Sequence, residues 1–115
     1  MLEGVDIVVD CLDSIDSRLK LEKLCDKMNL TLIHGAIRGY YGQVAVSSPK
    51  NRIFNRIYGG LKRDDESLGN LPMTCMVTAS LQVNLLLKVI FNEELDGDLI
   101  LIDVKNMEME RLKLQ

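Results

Sequence analysis

GVDIVVDCLDSIDSR (residues 4–18) passes within a few residues from an apolar run into three aspartates and an arginine. Val5, Ile7, Val8 and Val9 make a β-branched block, and continuous apolarity of this kind predicts a strand covered on both faces, as in a parallel sheet. The strand is expected over residues 5–12. Asp13 and Ser14 then offer the side-chain oxygens that start helices. Over residues 15–28, Ile15, Leu21, Leu24, Cys25 and Met28 recur at helical spacing with Lys20, Glu22, Lys23 and Lys27 outward, the pattern of an amphipathic helix. Two roles are open for Asp10, Asp13 and Asp16 at this corner: capping the helix, worth about 1 kcal/mol per cap, or holding a cation at a ligand site. The two can coexist.

Working outward, Asn29 closes the helix, and TLIHGAI (31–37) reads as a second buried strand, which completes a βαβ unit with a right-handed crossover. Gly39 and Gly42 flank Tyr40 and Tyr41 ahead of QVAVSS (43–48), so the chain is expected to return as an antiparallel strand, with Gly42 and Gln43 setting the turn. Residues 49–72 lose periodicity and gather Asn, Gly and Asp, as in a lid or binding loop. The helix expected over 73–91 is apolar around most of its surface, which assigns Met73, Met76 and its leucines to the core. ELDGDLILIDV (94–104) and MEMERLKL (107–114) read as two strands joined at Lys105-Asn106, an antiparallel pair at the far edge. The fold class is therefore α/β: a partial Rossmann-like open mixed sheet made of a βαβ unit, an antiparallel hairpin, a long core helix and a C-terminal β-hairpin, in a single domain over residues 1–115.

Composition narrows the functional classes. At 115 residues with 47% hydrophobic and 27% charged residues, the chain suits one domain with a modest core. A net charge of -3 with scattered basic residues argues against a nucleic-acid footprint. Cys11, Cys25 and Cys75 form no CxxC pair, so neither a disulfide framework nor a zinc knuckle is expected, and a reducing, cytoplasmic setting fits. Thr74, Thr78, Ser80, Gln82, Asn84 and Lys88 interrupt the most apolar stretch, against a bilayer span of about 20 apolar residues. Residues 1–4 show no signal-peptide pattern.

Beyond this generic reading, GVDIVVDCLDSIDSR, HGAIRGYYGQVAV, ASLQVNLLLKVI and LILIDVKNMEMERLKL occur in the order and spacing of the second half of ThiF/MoeB/HesA-type proteins. The chain resembles that family from Gly4 to Leu114 and, more distantly, the adenylation domain of ubiquitin-activating enzymes. The resemblance implies part of an ATP-dependent adenylyltransferase that activates the C-terminal Gly-Gly carboxylate of a ubiquitin-like sulfur-carrier protein, of thiamine or molybdopterin type. It assigns Mg²⁺ to Asp13, the family's "D-C-T-D-N-x-x-x-R" being matched by Asp10 through Arg18, and it places nucleotide contacts at Asp13, Ser14 and Arg18. Gly35, Ala36, Gly42 and Gln43 are implied as the groove for the carrier tail.

Departures from the family shape these expectations. No GxGxxG loop occurs in the 115 residues, so this chain alone is expected to bind ATP poorly and to be inactive. Arg52-Ile53-Phe54-Asn55-Arg56 stands where many relatives carry the first CxxC pair, which implies the zinc-less branch. Ser14 replaces the usual Asn. A rival reading is a non-catalytic carrier-binding or dimerisation module that has lost the ATP site. His34, the lone histidine, is expected to be a hydrogen-bonded structural residue. Tyr40 and Tyr41 at the hairpin tip are expected to make an interface, and an apolar edge at strand 5–12 is expected to drive homo-oligomerisation.

Overall fold

The computed structural model describes residues 6–10, 15–54, 57, 71–95 and 97–113. The opening apolar run forms β1 (Ile7–Val9), and the amphipathic segment forms α1 (Ile15–Lys27). Asn29 ends that helix in the left-handed region, at φ 56, a common exit for Asn. β2 (Thr31–Arg38) follows and pairs with β1 in parallel, Val8 opposite Leu32. β3 (Tyr41–Ser47) returns antiparallel. Its turn is at Gly39-Tyr40, where Gly39 has φ 60 and Arg38 pairs with Tyr41. The expected turn at Gly42 and Gln43 is thus corrected by three residues. Both lie inside β3, because the positive φ at Gly39 reverses the chain first.

After a helical turn around Ile53 and Phe54, in which the Ile57 amide donates to the Ile53 carbonyl at 3.0 Å, the long helix α2 spans Pro72–Ile90. β4 (Leu99–Asp103) and β5 (Glu108–Leu112) close the chain as an antiparallel pair. The five strands form one open mixed sheet in the order β1-β2-β3-β4-β5. The α/β class and the element order expected from the sequence therefore hold; β2 and β3 begin or end beyond the expected 31–37 and 43–48, β4 and β5 are shorter than 94–104 and 107–114, and residues 5, 11 and 12 of the first expected strand lie outside the described residues.

Alternation along the strands divides the core into two layers. Val8, Leu32, Ala45 and Leu101 face α1 and meet Ile15, Leu19 and Cys25. Ile33, Val44, Val46 and Ile102 face the other way and meet Leu81, Leu85 and Val89 of α2. Successive strand residues point to opposite faces, so the two helices cover opposite sides of the sheet. Arg52 staples the first layer: it donates to Asp26 at 3.2 Å and to the carbonyls of Ser47 at 3.0 Å and Leu30 at 2.8 Å.

One expectation about α2 is corrected. The helix packs on the sheet, but its buried positions are Thr74, Thr78, Gln82 and Leu85, whereas Met73, Met76 and Leu87 are 42%, 71% and 46% exposed. The reason is steric. Beneath the first half of α2 the sheet presents Gly35 and Gly42, and a Cβ added there would lie 2.2 Å from Gln82 Cδ and 2.2 Å from Thr78 Oγ1. Only short or slender polar side chains fit over backbone approached this closely, so the bulky apolar residues turn outward.

Candidate functional site

The corner that follows β1 is organised by a buried carboxylate. The Asp10 amide donates to the Ile33 carbonyl at 2.8 Å, which extends the parallel pairing by one bond. Its side chain continues the Val8 face and enters the layer under α1, where Asp10 is 1% exposed. A buried charge of this kind is tolerated only when it is paired and hydrogen-bonded. Arg18, one turn into α1, brings its Nε to 3.4 Å from Asp10 Oδ2, and His34 Nδ1 reaches the same oxygen at 2.9 Å.

Neighbouring groups lock this arrangement. The Gln43 amide donates to His34 Nε2 at 2.9 Å, and Gln82 of α2 donates to the Asp10 carbonyl at 3.0 Å. Because Nε2 accepts from Gln43, the proton of the neutral ring sits on Nδ1 and points at Asp10. The Phe54 ring closes the pocket edge-on, 4.7 Å from the imidazole at 70°. Beside it, Glu22 of α1 accepts from Ser47 Oγ at 2.5 Å and from the Phe54 amide at 3.2 Å. One polar network thus ties β1, β2, β3 and both helices together at the carboxyl end of the parallel strands, where open α/β sheets bind ligands.

Burial pushes the His34 pKa below its ordinary 6.5, against the opposing pull of the Asp10 carboxylate. Unfolded chains take up this proton near pH 6.5, whereas the folded protein does so only at lower pH. Stability from this residue is therefore complete above about pH 6.5 and falls as pH drops, by at most about 1.4 kcal/mol per pH unit. Urea midpoints compared at about pH 7.5 and 5.5 should decline accordingly, and His34→Gln should remove that part of the slope while lowering stability throughout. An unchanged slope in the variant would show that other groups carry the dependence.

The residues singled out from the sequence fall into three groups. Asp13 and Ser14 lie outside the described residues, so the cation and nucleotide roles implied for them receive no geometry. Arg18 is buried against Asp10, with its side chain 9% exposed. Gly35, Ala36, Gly42 and Gln43 lie on the β2–β3 ladder, with Ala36 opposite Gln43. Gly35 and Gly42 face α2, and Gln82 and Thr78 fill the space above them. Gln43, on the other face, is bound to His34. Among the described residues no group of three or more His, Cys, Asp or Glu could hold a metal ion. Asp16 is exposed and paired with Lys20 at 3.0 Å.

Sequence reading missed Asp10 as the hub, together with Glu22, Gln82 and Phe54. A signal existed for Asp10 alone, since alternation from Val8 already puts it on the face that α1 covers.

Comparison with known proteins then fixes the class to which this fold and corner belong. The ThiF family matches residues 1–115, and the chain belongs to that family. It is 26% identical to a SAMP-activating enzyme E1 of Haloferax volcanii over 117 residues, covering 96% of this chain and 43% of that protein. It is 28% identical to a molybdopterin-synthase adenylyltransferase of Haemophilus influenzae over 116 residues, covering 95% of this chain and 48% of that protein. The chain therefore spans about half the length of the curated relatives it matches.

Proposed function

We propose that this chain is part of an ATP-dependent adenylyltransferase that activates the C-terminal Gly-Gly carboxylate of a ubiquitin-like sulfur carrier, of the kind that serves thiamine or molybdopterin synthesis. The observation that carries the reading is the ThiF match over the whole chain, in which the acidic corner stands at the carboxyl end of a parallel strand pair. Such a corner suits a phosphate-bound cation, because hard Mg²⁺ takes one or two carboxylates and keeps several waters.

Within this proposal the carboxylates have separate tasks. Asp10 is committed to Arg18 and His34, and Asp16 pairs with Lys20. Asp13 is the carboxylate to which the resemblance to the family motif assigns Mg²⁺, with Ser14 beside it in sequence as a nucleotide contact. Arg18, which the resemblance assigns to the nucleotide, has its charge balanced by Asp10 beneath the corner. Asp10 is buried in the network ahead of the motif's metal-binding position, and Ile15 is buried after it. The carrier tail would approach along the Ala36 and Gln43 side of the hairpin, its carboxylate attacking the α-phosphate as pyrophosphate leaves. Mg²⁺, when bound, would neutralise charge that develops on pyrophosphate.

The test is ATP-pyrophosphate exchange with a Gly-Gly-tailed carrier, run on the 115-residue chain and on a product of the relatives' full length. Exchange is expected from the long form only, and Asp13→Asn should reduce it by at least about 100-fold, the scale of losing one electrostatic contact to the transition state. Exchange that survives Asp13→Asn, or a long form that binds carrier without exchange, would overturn the reading in favour of a binding module.

A further inference from the structure

His34 is fully buried, yet both of its ring nitrogens are taken by side chains from other parts of the fold. Nδ1 donates to Asp10 Oδ2 at 2.9 Å, at the exit of β1, and Nε2 accepts from the Gln43 amide of β3 at 2.9 Å. The same Asp10 oxygen stands 3.4 Å from Arg18 Nε of α1. Arg18, Asp10, His34 and Gln43 therefore form one continuous line from α1 to the β2–β3 hairpin. The two ends of the line differ in setting. Arg18 is buried, whereas Gln43 is half-buried beside Ala36, its partner on the ladder. Packing alone does not ask for an imidazole here. Leu32, Ala45 and Phe54 supply apolar neighbours in this layer, and a leucine would pack among them without any need for a buried carboxylate. What a neutral imidazole adds is direction: it is rigid, and it donates on one edge while it accepts on the other.

We propose that His34 is a positioning residue that couples the two ligands of the site, its one ring setting the Gln43 amide on the side of the carrier tail and the Arg18 guanidinium on the side of the nucleotide. The proposal deepens the adenylyltransferase reading and rests on it for the identity of both ligands. With Nε2 as acceptor, the Gln43 amide nitrogen faces the ring and its oxygen is turned away from it. A carboxamide oxygen has two lone pairs, so it can take a peptide N–H of an extended tail alongside a neighbour of its own. On the other edge, the Nδ1 bond holds the carboxylate so that Oδ2 serves the ring and Arg18 together. Without the ring, that carboxylate can rotate and close on the guanidinium as a two-pronged pair, which draws Arg18 away from the nucleotide. A tail that fixes Gln43 therefore also fixes Arg18, and a nucleotide on Arg18 fixes Gln43, since coupling between two binding sites is reciprocal.

The test is ATP-pyrophosphate exchange by the long form, with KM for ATP, KM for the Gly-Gly-tailed carrier and kcat measured separately. His34→Leu should raise both KM values by about 3- to 10-fold, the scale of one neutral hydrogen bond lost on each side. His34→Gln, which donates and accepts as the ring does, should restore most of both. Gln43→Met removes a group on the tail side only, yet it should raise the KM for ATP as well, and should cease to do so once His34→Leu is present. Because Gln43 is half-buried, Gln43→Met carries the test even where His34→Leu fails to fold. A merely structural His34 would lower the active fraction and leave both KM values at wild type. That result, or an ATP KM that Gln43→Met does not move, overturns the proposal while the adenylyltransferase reading stands. A wild-type long form without exchange overturns that reading instead, and the coupling is then read on the 115-residue chain by nitrogen NMR: Gln43→Met should shift the Arg18 Nε–H resonance through His34, and an unmoved resonance overturns the proposal there too.

Discussion

Asp10→Ala is expected to lower the unfolding free energy by about 3–5 kcal/mol, the usual consequence of removing one member of a buried ion pair. The size of the effect comes from what remains. Arg18 would keep its guanidinium under α1 with its counter-charge removed, and His34 Nδ1 would lose the oxygen it donates to at 2.9 Å. Domains of this size have about 5–15 kcal/mol in hand, so the variant should unfold in urea at a much lower midpoint. Asp10→Asn, which keeps one acceptor for His34, should fall between the two. Replacing Asp10, Arg18 and His34 together by leucine, methionine and leucine should recover much of the loss, because a buried polar network can be exchanged for apolar packing of similar volume. If the triple variant is as unstable as Asp10→Ala, the network contributes more than the mutual compensation of its charges.

Phe54→Ala is expected to cost a similar amount, about 3–5 kcal/mol, through the cavity left by a large side chain. Phe54 is fully buried in the first core layer, and its ring forms the wall against which the His34 imidazole stands. Phe54→Leu, which restores most of the volume, should cost less than about 1.5 kcal/mol. The backbone bond from Phe54 to Glu22 is present in both variants, so chemical denaturation of the pair isolates the ring. Equal losses in the two would mean that the helical turn itself, rather than the cavity, has given way.

These residues also show how far the sequence could be read. The strands and helices were legible because each hydrophobic period is local: a β-branched run at residues 7–9, a largely apolar stretch at 31–37, and a 3.6-residue rhythm through α1. The polar network was not. Asp10 and His34 are 24 residues apart, and Gln82 is 72 from Asp10. These partners become visible only once the parallel register of β1 on β2 sets Val8 against Leu32. The orientation of α2 was illegible for a different reason. A helix apolar on nearly every side has no preferred inward face in its own sequence, and it was the bare backbone at Gly35 and Gly42, on other elements, that chose its threonines. The assignment of Asp13, Ser14 and Arg18 came from the motif they share with a family, and for Arg18 the fold adds an internal partner that the motif does not announce.

The last strand has a bearing on the protein in concentrated solution. β5 is exposed from Glu108 to Arg111, with Asp103 set across from Glu108 and a further carboxylate at Glu110. An incoming strand would have to settle beside that acidic row, and repulsion of this sort keeps open margins from templating fibrils. Wherever that flank of the sheet meets solvent, the acidic margin resists stacking into insoluble ribbons from that side.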